Sequence, residues 1–470
     1  MQQQGIFLAG QFVQTQTTLD VLNPFDSSII STIYLAENEH IYLAIEAAEK
    51  CKKEYQATPL WKISEALKRI SHQLEEKRQE LAELLCKESG KPMMYALGEV
   101  NRSIQTFLIA SEECKRPPSE IISLDWTSAG ENKNGYVQYF SKGIIAGIAP
   151  FNFPINLVAH KIAPAIATRS PIILKPSSST PLSALFLAEI IASTDLSKGA
   201  VSILPCSREV GQQLVEDDRI NVLSFTGSPI VGWKMKAAAN KKKVVLELGG
   251  NAAAIVHSDV DLDKVIPKLL VGGFAYSGQV CIHTQRIFIH SSLFDAFVKK
   301  YSSGIQQLKI GNPLDKETNF GVMIDQKNAN RVMGWITEAI SQGASPLTGN
   351  KQADLLIYPT LLIHAIKGMK VWDEEVFGPV VCLTPYDKIE KAIDSINDSK
   401  FGLQAAIFSD SQSIIQQCFN EIEVGGLIVN ESTTFRVDQM PYGGVKDSGF
   451  GREGVKYAML DFLEPKILVN

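Results

Sequence analysis

Apolar residues in the first quarter of the chain recur at the spacing of an α-helix. In residues 61–89 they return every three, four or seven positions, with Lys, Arg and Glu between them: Leu67, Ile70, Leu74, Leu81 and Leu85. Residues 39–56 and 96–116 follow the same rhythm, and the latter segment ends before Pro117. Because this period places one apolar stripe on each segment, the pattern predicts a mainly helical N-terminal region.

From about residue 143, short apolar runs alternate with helical segments. The strand-like runs are 143–148, 171–174, 200–204, 221–225 and 244–248, and the helical segments between them are 181–193, 209–216 and 229–240. A second such series covers about 253–420. Strands of about 4–6 residues separated by helices are typical of βαβ units and a parallel sheet. We therefore predict an α/β protein with two such regions, hinged at Gly249-Gly250.

Two predicted strand regions belong to neither series. One lies near 125–142, before the first series, and the other is the tail from Glu464 to Val469. Strands without a partner in their own sheet often pair across subunits, so both are candidates for contacts between copies of the chain.

Composition and charge exclude several classes of protein. The 470 residues are 45% apolar and 21% charged, and 46 basic against 51 acidic residues give a net charge of −5. Without a long basic run, nothing favours nucleic acid as a partner. The seven cysteines lack C-x-x-C spacing, which argues against a structural zinc site and favours a reducing compartment. With no visible secretory signal or membrane span, we expect a cytoplasmic protein without a metal or a membrane partner.

Two strand ends are candidates for binding phosphate or ribose. A strand that ends at 225 is followed by Gly227, by Ser228 as a favoured N-cap and by Pro229 as a favoured first helical residue. Such a junction directs free N–H groups outward and suits a phosphate, but it also describes an ordinary capped helix. Lys175 ends another apolar run and could reach a ribose or phosphate, or be a surface lysine at a strand exit.

Three further residues are candidates for chemistry. Glu247 lies between leucines in an apolar strand, where desolvation would raise its pKa toward that of a general base; an outward-facing glutamate is the alternative. Cys281 follows a turn of small residues and could be a nucleophilic thiol or a buried small hydrophobe. The amide of Asn152, held between aromatic residues and prolines, could line an oxyanion hole or cap the next helix.

Seven short strings, taken in order, resemble the aldehyde dehydrogenase superfamily. They are PFNFP at 150–154, KPSS at 175–178, FTGS at 225–228, ELGGN at 247–251, GQVC at 278–281, EEVFGP at 374–379 and PYGGVKDSG at 441–449. The spacing agrees as well, including the 34 residues from Glu247 to Cys281. Each string alone is weakly specific, but all seven together cover nearly the entire chain.

The resemblance implies an α/β subunit of three parts. A Rossmann-like cofactor-binding domain would comprise residues 1–119 and 143–249, and an α/β catalytic domain would comprise 250–446. A bridging β-strand arm would combine 120–142 with 447–470 and would account for the two unassigned strands. Such an arm implies a homodimer or homotetramer.

The resemblance also implies catalytic roles. Cys281 would attack the aldehyde carbonyl, and the Asn152 amide with the Cys281 N–H would hold the resulting oxyanion. Hydride would then leave the thiohemiacetal, and Glu247 would deprotonate the water that hydrolyses the remaining thioester to the carboxylic acid. Because a thiol both adds to carbonyls and leaves well, these residue types suit an oxidation in two steps.

A nicotinamide cofactor, NADP or NAD, is implied together with its contacts. Lys175 would bind the adenosine ribose, Gly227 and Ser228 the pyrophosphate, and Glu375 the nicotinamide ribose beside Phe377. The other candidate contacts are Pro150, Phe151, Ser177, Ser178, Thr226 and, for close approach on the adenine side, Gly211.

The implied substrate is a small polar or anionic aldehyde. Arg102 lies in a region that resembles the substrate-tunnel wall, where lactaldehyde, succinate semialdehyde and non-phosphorylating glyceraldehyde-3-phosphate relatives place an arginine. Phe153 would contribute to an aromatic throat, and Arg436 is a further cation before the PYGG string. We expect Arg286 to form a structural ion pair and His160 to be a packing residue.

Two alternatives remain open at this point. The thioester could pass its acyl group to coenzyme A, although Glu247 favours water as the acceptor because acylating relatives commonly lack that base. The chain could instead be a crystallin-like scaffold that kept the fold without catalysis. Such proteins often lose the nucleophile or the base, whereas Cys281 and Glu247 are both present.

The residue three after Lys175 makes the choice of cofactor testable. It is Ser178, where strongly NAD-preferring relatives often carry a Glu that would accept the ribose 2′-hydroxyl and repel a 2′-phosphate. Because serine does neither strongly and Lys175 could help neutralise the phosphate, we expect NADP to be accepted alongside NAD. Catalytic efficiencies measured with both cofactors test this expectation, and a preference for NAD of about a thousandfold contradicts it.

Overall fold

The apolar stripes of the N-terminal region form helices that bury those stripes against one another. In the computed structural model, which describes residues 4–470, Leu67 and Ile70 are fully buried where the second helix packs on the fourth. The described residues form fifteen α-helices: α1 Asn38–Gln56, α2 Leu60–Glu76, α3 Arg78–Ser89, α4 Met93–Glu113, α5 Asn156–Ala167, α6 Leu182–Ala192, α7 Arg208–Glu216, α8 Pro229–Ala238, α9 Leu262–Phe274, α10 Phe294–Gln306, α11 Gln326–Ser341, α12 Lys370–Asp373, α13 Ile389–Asn397, α14 Gln412–Glu421 and α15 Val455–Phe462. None of the helices in this range is both long and apolar enough to cross a membrane.

The strands are mostly three to seven residues long. Over the same described range they are β1 Ile6–Leu8, β2 Gln11–Val13, β3 Thr18–Leu22, β4 Ile29–Tyr34, β5 Ser119–Ser123, β6 Asn134–Ser141, β7 Ile144–Ile148, β8 Ile172–Lys175, β9 Val201–Ile203, β10 Ile220–Thr226, β11 Lys243–Glu247, β12 Ala253–Val256, β13 Arg286–His290, β14 Ser345–Thr348, β15 Gln352–Ala353, β16 Leu356–Ile357, β17 Thr360–Ile363, β18 Val380–Tyr386, β19 Phe401–Gly402, β20 Gln404–Phe408, β21 Gly426–Val429, β22 Val445–Lys446, β23 Gly449–Phe450 and β24 Leu463–Val469.

Two large sheets carry the α/β architecture that the alternating pattern predicts. The first has the order β2-β1-β9-β8-β7-β10-β11-β23, with a parallel centre from β9 to β11 and antiparallel strands at both edges. The second has the order β14-β17-β18-β13-β12-β20-β21 and is parallel except for β14. In both, the apolar runs are buried between helices, as is usual for parallel strands.

The two unassigned strand regions pair with each other in a third sheet. Its order is β24-β6-β5, and β24 runs antiparallel to β6 from Leu463 opposite Ser141 to Val469 opposite Gly135. The tail enters this sheet only at Leu463, because β23 pairs with β11 in the first sheet and α15 packs on α5. Residues 449–462 therefore lie with the first sheet, not with the strand arm expected for 447–470.

Two local features differ from the expected pattern. Residues 6–34 contain β1 to β4, which the sequence did not predict. β1 and β2 are only three residues long, and β2 to β4 are largely exposed or half-buried, so no alternating pattern marks them. The continuous helix expected over 61–89 is divided at Lys77, whose backbone leaves the helical region between α2 and α3.

A buried ion pair links the N-terminal helices to the segment that follows β7. Lys91 and Glu99 pair with both side chains fully buried. Lys91 Nζ also donates to the Asn152 carbonyl oxygen at 2.7 Å, and Glu99 Oε1 accepts from the N–H groups of Ile155 and Asn156. Because a buried charge is costly without partners, this pair and its hydrogen bonds hold the segment around Asn152 in one position.

Candidate active site

The turn before Cys281 has an unusual backbone conformation. Tyr276, Ser277 and Gly278 all have positive φ angles, of 46°, 54° and 69°. Side chains hold this turn against other segments: Tyr276 Oη donates to the Ser89 carbonyl and Ser277 Oγ to the Gly321 carbonyl, each at 2.8 Å. A non-glycine residue pays strain energy for such a conformation, and strain of this kind is concentrated at functional sites.

Gln279 anchors the same turn and brings Asn152 to it. Its side-chain amide donates to the Val322 carbonyl at 3.2 Å and accepts from the Ile324 N–H at 2.9 Å. Its backbone carbonyl accepts a hydrogen bond from Asn152 Nδ2 at 3.0 Å. The Asn152 side chain is thus bonded to Gln279, which lies two residues before Cys281 in the chain. One of the two N–H groups of its amide is used in this bond, and the other is left for a ligand.

Cys281 differs from the other cysteines in its exposure and its partner. It is partly exposed, while the other six cysteines are buried. Its Sγ lies 3.0 Å from Tyr442 Oη, in a cluster of apolar side chains that includes Phe153. Burial raises the pKa of the Cys281 thiol to about 11, and the Tyr442 hydrogen bond and the charge of Arg436 act in the opposite direction.

Glu247 ends β11 as a buried carboxylate without a hydrogen-bond partner at either oxygen among the described residues. Burial, together with the negative charge of Glu453, raises its pKa well above the ordinary value. It lies against the PYGG string, because a Cβ added to Gly443 would be 2.8 Å from Glu247 Oε1. Since Tyr442 directly precedes Gly443 and its hydroxyl contacts Cys281 Sγ, the string brings the thiol and the carboxylate to one site.

A buried group of charged residues, not predicted from the sequence, lies beside Glu247. Glu453 pairs with Arg436 at 2.9 Å and with Lys161 at 3.4 Å, and Lys161 Nζ also donates to Thr226 Oγ1 at 2.8 Å. Although burial alone would raise the pKa of Glu453, these two cations lower it to about 2. Thr226, expected to contact cofactor, has its hydroxyl in this group, where it also donates to Glu453.

The two arginines expected near the substrate belong to the same charged region. Arg102 pairs with Asp438 at 2.7 Å, and its side chain is 26% exposed. Arg436 stacks on the Tyr442 ring at 3.7 Å, and its buried Nε has no partner among the described residues. His160 is not a mere packing residue, because its Nε2 is 2.7 Å from Asp438 Oδ1.

Arg286 does not form the expected ion pair. Its guanidinium is fully buried, donates to the carbonyl oxygens of Ser395 and Asn251, and lies 5.5 Å from the centre of the Trp372 ring. The second sheet therefore holds this cation with backbone dipoles and an aromatic face, away from the substrate candidates.

Most of the expected cofactor contacts lie along one edge of the first sheet. Pro150 follows β7, Lys175 ends β8 with Ser177 and Ser178 after it, and Gly227 follows β10. Ligands of open parallel sheets bind at this carboxyl edge. The Gly227 N–H is not among the free donors of this junction, because it donates to the Glu247 carbonyl at 3.0 Å. The exposed Ser228 and the start of α8 remain open to solvent.

Lys175 is positioned by a glycine. Its side chain is buried, and Nζ has only a long contact of 3.4 Å to the Pro176 carbonyl among its described hydrogen bonds. A Cβ added to Gly211 would lie 2.8 Å from Lys175 Cδ, so Gly211 provides the space that the lysine occupies. A weakly bonded buried ammonium at a strand end fits the ribose and phosphate groups of a dinucleotide.

The segment that precedes β18 of the second sheet brings Glu375 and Phe377 to this edge of the first sheet. Glu375 Oε1 accepts from the Gly250 N–H at 3.1 Å, and burial raises the pKa of this carboxyl to about 7. Phe377 contacts the Phe151 ring edge-on at 5.9 Å between ring centres. These contacts bring the segment before β18 of the second sheet against residues that follow β7 and β11 of the first sheet.

Comparisons with known proteins agree with this arrangement. The model of the aldehyde dehydrogenase family matches residues 12–468. The chain is 39% identical to 3-sulfolactaldehyde dehydrogenase of Priestia aryabhattai over 470 residues, covering 100% of this chain and 98% of that protein. It is 42% identical, with a TM-score of 0.98, to aldehyde dehydrogenase 21 from Physcomitrella patens in complex with the reaction product succinate, covering 100% and 98% of the two chains.

A third relative was solved with a cofactor. The glyceraldehyde-3-phosphate dehydrogenase GapN from Methanocaldococcus jannaschii, complexed with NADP, is 37% identical with a TM-score of 0.92, covering 97% of this chain and 100% of that chain. The chain belongs to the aldehyde dehydrogenase family. It is an NAD(P)-dependent, non-acylating aldehyde dehydrogenase, which confirms the predicted family, fold and cofactor class and removes the scaffold alternative.

Gly211 allows a test of cofactor binding that does not depend on turnover. In Gly211→Ala the new methyl displaces the flexible Lys175 side chain, so the dissociation constant for NADP should rise about tenfold, the value of one lost charged hydrogen bond. Titration calorimetry measures it directly. Gly334→Ala is the matched control, because that glycine is exposed on α11 with nothing within 4 Å of the added Cβ. Equal affinity in the two variants would remove Lys175 from the cofactor site.

Proposed function

We propose that this enzyme oxidises a small anionic aldehyde to the carboxylic acid through a covalent intermediate on Cys281, with NADP or NAD as the oxidant. The observation that carries the proposal is the meeting of Cys281 and Glu247 at the PYGG string, where Tyr442 contacts the thiol and Gly443 contacts the carboxylate. A nucleophile beside a buried base with no hydrogen bond of its own is the constellation that thioester chemistry requires.

In the first half of the reaction, the Cys281 thiolate attacks the aldehyde carbon and forms a C–S bond, which leaves an oxyanion. The Cys281 backbone N–H and the second N–H of Asn152 Nδ2 stabilise that oxyanion. Bound nicotinamide supplies the two-electron oxidant that accepts hydride from the carbon. Loss of the hydride restores the carbonyl and leaves a thioester on Cys281.

In the second half, water attacks the thioester and Cys281 leaves as thiolate. Glu247 takes the proton of that water, which is why neither of its oxygens should be occupied by another donor beforehand. The raised pKa of Glu247 makes it a stronger base than an ordinary carboxylate once it is ionised. The product is the carboxylic acid, Cys281 is again a thiolate, and Glu247 then releases the proton to solvent.

A bound cofactor would be held by residues that both large sheets supply. The first sheet supplies Lys175 for the adenosine ribose and the α8 junction at Ser228 for the pyrophosphate, and the second supplies Glu375 for the nicotinamide ribose. We retain the expectation that Ser178 admits the 2′-phosphate of NADP, since this exposed serine carries no charge that would repel it.

An anionic substrate is supported by the cations of the charged region and by the relatives. Arg102 is partly exposed and Arg436 has an unpaired Nε, so both retain capacity for an anion. One relative named above acts on a sulfonated aldehyde, and another was solved with its reaction product succinate. We therefore propose a carboxylate, sulfonate or phosphate on the aldehyde substrate, held by these arginines.

Glu247→Gln separates the two halves of the reaction. The amide cannot take a proton, so we expect a burst of about one NAD(P)H per active site followed by steady turnover about 10²–10⁴-fold slower than wild type. Rapid-mixing absorbance at 340 nm, on the order of seconds, measures both phases. In wild type, the steady rate should fall as pH falls through the raised pKa of Glu247, because only the ionised base works.

The exposed Glu189→Gln on α6 is the control and should keep wild-type kinetics. An unchanged steady rate in Glu247→Gln would contradict the role of Glu247 as the base. A burst that persists in Cys281→Ser would contradict the covalent intermediate itself.

Matched aldehydes test the substrate class. Succinate semialdehyde and butanal have the same chain length but differ by the carboxylate, and we expect the former to have about 10–100-fold higher catalytic efficiency. Arg102→Gln should remove most of this difference, and Arg69→Gln, an exposed arginine on α2, should not. Equal use of the two aldehydes by wild type would contradict an anion site.

We also propose that the third sheet is a contact between copies of the chain. It exposes large apolar side chains that a single subunit leaves in water, among them Ile121 at 78%, Trp126 at 89% and Leu468 at 64%. A patch of this kind on β5, β24 and the adjoining loop is typical of an interface.

Sedimentation velocity tests this contact. Wild type should sediment as a homodimer or homotetramer, and the double variant Ile121→Lys with Leu468→Lys should shift to monomer, because a charge cannot be buried there without a partner. Substitution of the exposed Ile366, which lies between β17 and α12 in the second-sheet region, by Lys is the control. A monomeric wild type would contradict the proposal.

A further inference from the structure

We propose that the Tyr442 hydroxyl donates a hydrogen bond to the Cys281 thiolate, and that Arg436 and Glu453 hold the Tyr442 ring in position to do so. The inference rests on the proposed role of Cys281 as the nucleophile and adds to it a residue that touches the reacting sulfur. The observation behind it is the distance of 3.0 Å between Tyr442 Oη and Cys281 Sγ.

The direction of this hydrogen bond follows from burial. Tyr442 is 4% exposed and packs with Val280, Ile282 and Leu403 around Cys281. This burial raises the pKa of the Tyr442 phenol well above its ordinary value, so the phenol stays protonated at neutral pH. A neutral hydroxyl beside an ionised sulfur is the donor, and the bond is then charge-assisted.

The Tyr442 ring is fixed by a closed set of contacts with Arg436 and Glu453. The Arg436 guanidinium lies 3.7 Å from the ring centre and pairs with Glu453 at 2.9 Å. The backbone of Glu453 is in turn bonded to the backbone of Tyr442: the Tyr442 N–H donates to the Glu453 carbonyl at 3.0 Å, and the Glu453 N–H donates to the Tyr442 carbonyl at 2.6 Å. The hydroxyl therefore has little freedom to leave the sulfur.

The charges that face Cys281 explain why such a donor matters. Burial disfavours its thiolate most, the negative charges of Glu375 and Glu247 disfavour it further, and the charge of Arg436 favours it. A donated hydrogen bond stabilises the thiolate without placing another cation beside the base Glu247. Tyr442 thus offsets part of the cost of a nucleophile that is desolvated next to two carboxylates.

Alkylation of Cys281 by iodoacetamide as a function of pH tests the proposal without any substrate. In Tyr442→Phe the ring and its stacking remain but the donor is lost, so the midpoint of the pH profile should rise by about one unit and the rate at pH 7 should fall about tenfold. Peptide mapping assigns the label to Cys281. The other six cysteines are buried and should stay unlabelled, which verifies the fold of the variant in the same experiment.

Tyr386→Phe is the matched control, because Tyr386 is also buried but shares its hydrogen bond with His257 Nδ1 at 2.9 Å, at the end of β18 that pairs with the end of β13, whereas Cys281 precedes the start of β13. Its alkylation profile should equal that of wild type. In Tyr442→Phe, kcat/KM should fall most at low pH and recover as pH rises through the new midpoint. An unchanged midpoint, or an alkylation rate at pH 7 equal to that of wild type, would overturn the donor role. Turnover retained in Cys281→Ser would instead overturn the proposed function.

Discussion

The active site depends on the close approach of the two large sheets at Gly249 and Gly250. These residues carry the chain from β11, which ends in Glu247, to β12 of the second sheet. A Cβ added to Gly249 would lie 2.3 Å from Glu375 Oε2, and one added to Gly250 would lie 2.4 Å from the Cys281 carbonyl oxygen. Any side chain here would separate the thiol and Glu375 from Glu247. The glycines therefore serve packing, beyond the flexibility expected of a hinge.

The second constraint is that two buried carboxylates, Glu453 and Glu247, have different partners. Glu453 pairs with both nearby cations, Arg436 and Lys161, and keeps a low pKa. Glu247 accepts no hydrogen bond from residues 4–470, and its pKa is raised. Like charges in a desolvated region cannot both be fully ionised at low cost, so the environment drives their pKa values apart. Glu453 is thereby held in ion pairs, while Glu247 stays available for the proposed role as the base.

The sequence predicted what is local and missed what is distant. Strands β7 to β11 and helices such as α6 carry strong periodicity, and Cys281, Glu247 and Lys175 lie in recognisable strings at strand ends or turns. The pairs Arg102 with Asp438 and His160 with Asp438 join residues 336 and 278 positions apart, and no spacing rule reports such distances. Tyr442 belongs to the PYGG string, but only the fold shows that its hydroxyl contacts Cys281 Sγ.

Among the described residues, the charged region beside Glu247 contains buried polar groups without partners, and under the proposed function a substrate would be held there. A buried donor without an acceptor costs about 1–3 kcal/mol, and such groups are rare in folded proteins. Of the residues that the structure describes, none bonds to Arg436 Nε or to either oxygen of Glu247, while Arg102 and Arg436 are each already paired with a carboxylate. Because these pairs neutralise the charge of the two arginines, a bound anion would gain less binding energy from net charge than from a hydrogen bond to Arg436 Nε. Under the proposed function, recognition of the substrate is then directional, since it depends on hydrogen-bond geometry more than on attraction by a positive field.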